Sequence, residues 1–124
     1  MLHKIYQAKV MKGLGNGRSK AFATVNLDPK ILPKDLEKGV YAAWVFFNHK
    51  KYKGALFYGP RKILAEKKDV LEIHLLDFAE NIYDQEISFS LEAFIRPNMF
   101  FSSFAQLKKQ ISLDIQAVTV CLAD

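Results

Sequence analysis

A single cysteine, Cys121, occurs among 124 residues. That excludes an internal disulfide framework and leaves no cysteine spacing of the kind a metal site needs. Long apolar runs are missing too, and none approaches the roughly 20 residues of a membrane-spanning helix. Residues 1–6 lack the extended apolar segment of a secretory signal. The expectation is therefore a cytoplasmic, reducing location with no membrane partner. No internal repeat or low-complexity tract is present, and the lysines are spread along the chain rather than blocked.

Two familiar phosphate-binding signatures are also absent. Gly13, Gly15 and Gly17 are not followed by the Gly-Lys-Ser/Thr of a Walker A loop. Nor is this a dinucleotide fingerprint, because Ala21-Phe22-Ala23-Thr24-Val25-Asn26 has no helical period.

What remains is the composition of one globular domain spanning residues 1–124. Half the residues are hydrophobic and a quarter charged, enough apolar surface for a core and too short a chain for two domains. Lys and Arg outnumber Asp and Glu by 18 to 13, a formal net charge of +5. That balance is compatible with a nucleic acid, a phosphate-bearing small molecule or solubility alone.

Hydrophobic periodicity places the elements. Residues 5–10 read as a strand that runs into the glycine-rich stretch and its cations, Arg18 and Lys20. Glycines let a backbone approach an anion, and free N–H groups beside Arg and Lys can cradle phosphates. Thr24 and Asn26 stand two apart, so in an extended segment their oxygens share a face and can meet one hard cation or phosphate. A Thr and an Asn closing a strand before the Asp28-Pro29 turn explain the same residues equally well. Residues 40–47 are apolar on both faces, as in a strand buried on both sides. A basic turn at residues 48–51 leads to a partner strand over 52–58, and Gly59-Pro60 is expected to break the sheet.

In residues 70–78, Leu71, Ile73 and Leu75 alternate with Glu72 and His74, the period of a strand with one face in a core. A carboxylate on a rigid strand suits proton abstraction from a fixed direction, although a solvated surface carboxylate is the commoner explanation of such a residue. The cleanest alternation follows: Ile87, Phe89, Leu91, Ala93 and Ile95 are expected in the core, and Arg96-Pro97-Asn98 ends the strand. From Phe104 the period changes, and Phe104, Leu107, Ile111, Ile115 and Val118 mark an amphipathic helix with Ser103 and Gln106 as its capping box. About six strands and one C-terminal helix predict an all-β fold, a closed or nearly closed antiparallel barrel.

Several motifs then fall into one register. Gly13-x-Gly15-x-Gly17-Arg18, Phe22-Ala23-Thr24-Val25-Asn26, Gly39-Val40-Tyr41, Glu72-Ile73-His74-Leu75-Leu76-Asp77-Phe78, Ile95-Arg96-Pro97, Phe101-x-Ser103 and Leu107-x-x-Gln110-Ile111-x-x-Asp114 occur in that order. Together they resemble the riboflavin kinase family, of the ATP-dependent bacterial and eukaryotic type, over nearly the whole chain.

The resemblance implies a six-stranded antiparallel Greek-key barrel with a C-terminal helix, making FMN from riboflavin and ATP with Mg²⁺. It implies that Gly13, Gly15, Gly17 and Arg18 cover the nucleotide phosphates, and that Thr24 and Asn26 serve the metal and phosphates. Glu72 is implied as the general base, and Arg96, Phe101 and Ser102 as parts of the flavin site. Bacterial members usually carry an adenylyltransferase domain upstream; these 124 residues do not include one, so the expectation is either a stand-alone kinase or a domain excised from such a protein.

The sequence departs from the family pattern at Ala23 and Val25, which flank Thr24, at Lys20-Ala21, at residues 59–63, at Asp84 and at Ser102. None of these removes a reacting group. They do raise an alternative, a family member that binds flavin or nucleotide without catalysis. A small basic barrel binding nucleic acid through Lys50, Lys51 and Lys53 ranks last, because it leaves Thr24, Asn26 and Glu72 unexplained; no nucleic-acid partner is expected.

Overall fold

A computed structural model describes residues 4–11, 23–60, 68–78 and 80–123. Among these residues six strands and one long helix follow in order: β1 (Ile5–Lys9), β2 (Ala23–Leu27), β3 (Gly39–Phe47), β4 (Lys50–Pro60), β5 (Asp69–Leu75), β6 (Glu86–Pro97) and α1 (Phe104–Cys121). The strands form one antiparallel sheet in the order β1-β6-β3-β4-β5-β2. Strands β3, β4 and β5 are consecutive neighbours and β6 returns beside β3, which is the Greek-key arrangement. The outer strands meet where Met11 bridges Asn26, its N–H donating to the Asn26 carbonyl at 2.7 Å. The sheet is thus curled almost into a barrel, as the alternation predicts. Among the described residues, no helix is long and apolar enough to cross a membrane.

The barrel interior is filled by every second residue of the strands, among them Val25, Leu27, Val45, Leu56, Leu71, Ile73, Leu75, Ile87, Phe89 and Leu91. Strand β3 is buried on both faces for a physical reason that its sequence contains. Tyr41, Ala43 and Val45 point into the barrel, while Ala42, with Ala55 of β4, meets Val118 and Leu122 from the helix region on the outside. Two alanines here let the helix lie close across β4, β3 and β6.

Strand β6 departs from the expected pattern. Leu91 pairs with Ala43 but Ala93 with Ala42, and Phe94 pairs with Tyr41 but Arg96 with Val40. Glu92 and Ile95 are the extra residues of two bulges, and each slip of one residue exchanges the faces of the sheet. Ala93 and Ile95 therefore pack on the helix side rather than in the barrel core. Two slips restore the phase, so Arg96 emerges facing the helix. Strand β4 also outruns its predicted end, with Gly59 and Pro60 still in register with Val70 and Asp69. Proline is tolerated there because it is the last residue of the strand.

The β3–β4 hairpin closes on two residues, with Phe47 paired to Lys50 and with Asn48 and His49 at φ 54° and 66°. This is the type I′ turn, for which Asn-Gly is the favoured pair. A left-handed conformation costs an L-residue about 1–2 kcal/mol, partly offset by the greater chain entropy of glycine. His49→Gly is expected to stabilise the fold by about 0.5–1 kcal/mol, read as a raised denaturant midpoint at unchanged slope. Lys51 Nζ sits 4.1 Å above the Trp44 ring, so the basic turn covers this aromatic face.

Helix α1 begins as predicted at Ser103, whose hydroxyl accepts from the Gln106 N–H at 3.2 Å. The return half of the box is displaced by one residue: Gln106 Oε1 accepts from the N–H of Ser102 at 3.1 Å and from its hydroxyl at 2.8 Å. Phe104, read as part of the apolar stripe, is exposed because it precedes the turn that touches the sheet, and the buried face centres on Asp114 and Val118.

Candidate active site

The pairing of β2 with β5 sets Asn26 opposite Glu72 and Thr24 opposite His74. Their neighbours Val25, Ile73 and Leu75 fill the barrel, so the pleat turns all four polar side chains to the outer face. Thr24, Asn26 and Glu72, singled out by sequence alone and distant along the chain, form one two-by-two grid with His74. Burial is graded across it: Thr24 is exposed, Asn26 and Glu72 are half-buried, and His74 is buried at 8% exposure. Glu72 Oε1 is shielded from solvent. Thr24 Oγ1 and His74 Nδ1 lie 2.9 Å apart.

On the other side of β5, Phe57 stands beside Glu72 and Ala55 beside His74. Beyond them the outer face of the sheet and α1 flank an open cleft. Val40, Ala55, Phe57, His74 and Arg96 contribute from the sheet, Leu107, Ile111 and Asp114 from the helix, and Asn98, Met99 and Phe101 from the connection between them. The cleft is mostly apolar with a few convergent polar groups, which is the usual character of a site for a flat organic ligand. His74 belongs to both the grid and the cleft.

Arg96 is held rigidly. Its Nε and Nη2 donate to Asp114 Oδ1 and Oδ2, both at 2.8 Å, and Nη1 donates to the Pro97 carbonyl at 3.0 Å. Gln110 Nε2 adds a donor to Asp114 Oδ1 at 3.0 Å. The guanidinium carbon lies 5.9 Å from the Phe101 ring centroid, and Phe101 is buried. Arg96 and Phe101 thus come together at the cleft. Ser102 is not among the residues lining it; its hydroxyl is turned toward Gln106.

Gly13, Gly15, Gly17 and Arg18, with Ala21, lie outside the described residues. Their described flanks are fixed beside the grid, since Met11 is bridged to Asn26 and Ala23 opens β2. The two flanking substitutions that can be placed leave the grid intact. Ala23 is an ordinary strand residue paired with Leu75, and Val25 fills the barrel core, where a larger aliphatic adds packing.

Thr24 and Asn26 offer two neutral oxygen donors on one face of β2, from Cα positions about 7 Å apart along the strand. Among the described residues, no group of three or more His, Cys, Asp and Glu could hold a metal by itself. Hard oxygens that are few in number fit Mg²⁺, which keeps several waters and takes phosphate oxygens as ligands.

Three features escaped the sequence reading. Asp114 stands in the sequence reading only as the last residue of the helix motif and without a role, because a carboxylate on the helix needs a partner to interpret. Asn98, whose Nδ2 donates to the Pro60 carbonyl at 3.1 Å and ties the end of β6 to β4, gave no signal beyond a turn residue. The Thr24–His74 contact required the strand register.

Comparison with known proteins matches residues 3–122 to the family described as Flavokinase: Riboflavin kinase. The chain belongs to the riboflavin kinase family. It is 39% identical over 115 residues to a bifunctional riboflavin kinase/FMN adenylyltransferase of Buchnera aphidicola, covering 89% of this chain and 36% of that protein. It is 36% identical over 110 residues to the trifunctional protein RibF/MnmA of Mycoplasmoides gallisepticum, covering 87% of this chain and 16% of that one. The riboflavin kinase-like chain thus spans well under half the length of these two relatives. A crystal structure titled macrolide-efflux protein from Streptococcus pneumoniae superposes with a TM-score of 0.73 at 24% identity, over 92% of this chain and 38% of that one. At that identity the likeness speaks for the fold alone.

Proposed function

We propose that this chain transfers the γ-phosphoryl group of ATP to the ribityl 5′-hydroxyl of riboflavin, giving FMN and ADP. The observation that carries the reading is the register that sets Asn26 opposite Glu72 and Thr24 opposite His74, beside an apolar cleft. Phosphoryl transfer asks for positioning and charge neutralisation more than covalent chemistry, and the grid supplies the parts. Glu72 accepts the proton of the 5′-hydroxyl as its oxygen attacks phosphorus, and the bond from phosphorus to the bridging oxygen of ADP breaks. Thr24 and Asn26 would hold Mg²⁺ together with the nucleotide phosphates. That ion, when bound, offsets the negative charge of the transferring group. Gly13, Gly15, Gly17 and Arg18 are assigned to the phosphates on sequence grounds.

The isoalloxazine ring is assigned to the cleft, over Val40, Ala55 and Phe57 and against Phe101. Arg96 acts there as a wall fixed by Asp114. Phe100 is 72% exposed next to this wall and is available to cover the ring. Ser102 is assigned to the same flavin segment, where it anchors the start of α1.

Incubation with riboflavin, ATP and Mg²⁺ tests the reading. FMN and ADP should appear in equal amounts, and neither should form when ATP or Mg²⁺ is omitted. Bound flavin with no FMN would contradict it and leave a binding protein.

A further inference from the structure

His74 has no part in the roles assigned above, yet it is the buried corner of the grid. Its ring is packed between Ala55 on β4 and Thr24 on β2, lines the cleft, and brings Nδ1 to 2.9 Å from Thr24 Oγ1. A hydroxyl has one proton and two lone pairs, and a neutral imidazole donates from one nitrogen and accepts at the other. Two arrangements follow. With Nδ1 protonated, the ring donates to Thr24 and occupies a lone pair. With Nδ1 bare, Thr24 donates to the ring, and both lone pairs are directed away from it, outward over β2.

These arrangements differ in what they offer a cation. A neutral hydroxyl coordinates through its oxygen lone pair, and coordination makes its proton a stronger donor that needs an acceptor. Groups behind a ligand that fix its orientation commonly contribute 10–100-fold to metal affinity. Thr24 is exposed, and its hydroxyl on its own would rotate about the Cβ–Oγ1 bond, whereas His74 is buried and held by its neighbours.

We infer that His74 is a positioning residue whose bare Nδ1 accepts the Thr24 hydroxyl proton and so turns the Thr24 lone pairs toward the cation and the phosphates. The inference rests on the kinase reading above. It assigns to the second polar residue of the Glu72-Ile73-His74 strand a role through Thr24 rather than in proton transfer.

Asparagine places an acceptor oxygen at the same bonded distance from Cβ as Nδ1, whereas glutamine places it near Nε2. Two measurements test the inference. In nitrogen-resolved NMR of the ligand-free protein at neutral pH, His74 should show a bare Nδ1 and a protonated Nε2; a proton on Nδ1 overturns it. In titrations with Mg²⁺ and ADP, His74→Gln should weaken binding about tenfold, and His74→Asn should retain affinity within about threefold. In a Thr24→Val background His74→Gln should add no further loss, since the two act as one unit.

Additive losses, or equal losses in the two His74 variants with unchanged unfolding midpoints, overturn the inference while leaving the kinase reading standing. Wild-type protein that binds no Mg²⁺–ADP sinks the kinase reading and this inference together.

Discussion

Glu72→Gln is expected to lower the rate of FMN formation by roughly 10²–10⁴-fold, the usual contribution of a positioned general base. The side chain keeps its length and shape, and its place between Asn26 and Phe57 is set by the strand register rather than by its charge. What it loses is the ability to take a proton. Riboflavin affinity should therefore stay within about threefold, so that the loss falls on kcat and not on KM. Glu72→Asp would retain a base but withdraw it by one methylene, and an intermediate rate is expected. A glutamine variant that fails to bind flavin, or one that keeps wild-type turnover, would remove Glu72 from the chemistry.

The largest loss of stability is expected from Asp114→Ala. Side-chain exposures of 13% for Arg96 and 6% for Asp114 make this a buried, bidentate pair between β6 and α1. Removing one partner strands a buried charge and typically costs about 3–5 kcal/mol. The Gln110 amide loses its acceptor at the same time. Urea unfolding should show the midpoint falling at constant slope. Replacing both partners by hydrophobic residues of similar volume, Arg96→Met with Asp114→Leu, should recover much of that loss. Because Arg96 and Asp114 are also cleft walls, the double variant should still bind riboflavin more weakly than wild type. Equal stability of Asp114→Ala and wild type would show that the pair is not buried in solution.

Much of this was legible in the residues, and the limits have identifiable causes. Period-two alternation exposed Glu72 and His74 on one face and Thr24 and Asn26 on another, because a pleated strand cannot do otherwise. That the two faces are one face depends on β2 pairing with β5, a long-range contact that no local pattern encodes. The bulges at Glu92 and Ile95 were hidden for a related reason. Alanine and isoleucine fit a barrel core as well as a helix-facing surface, so the alternation continues unbroken through the slips.

Asp114 illustrates the opposite case. The carboxylate stands in the helix motif, but its meaning came only with Arg96 across the interface. The cleft was the least legible feature. Its depth depends on how closely α1 approaches Ala42 and Ala55, and small residues in a strand do not announce a helix above them.

A single-turnover experiment tests the central claim most directly. Wild-type protein and Glu72→Gln are each preloaded with riboflavin, confirmed by quenching of flavin fluorescence, and mixed with excess ATP and Mg²⁺. The wild type should convert its bound flavin to FMN in one exponential phase, while the variant holds riboflavin unchanged over the same interval. Equal conversion by the two proteins, or no conversion by the loaded wild type, would contradict the assignment of this barrel face as a phosphoryl-transfer site.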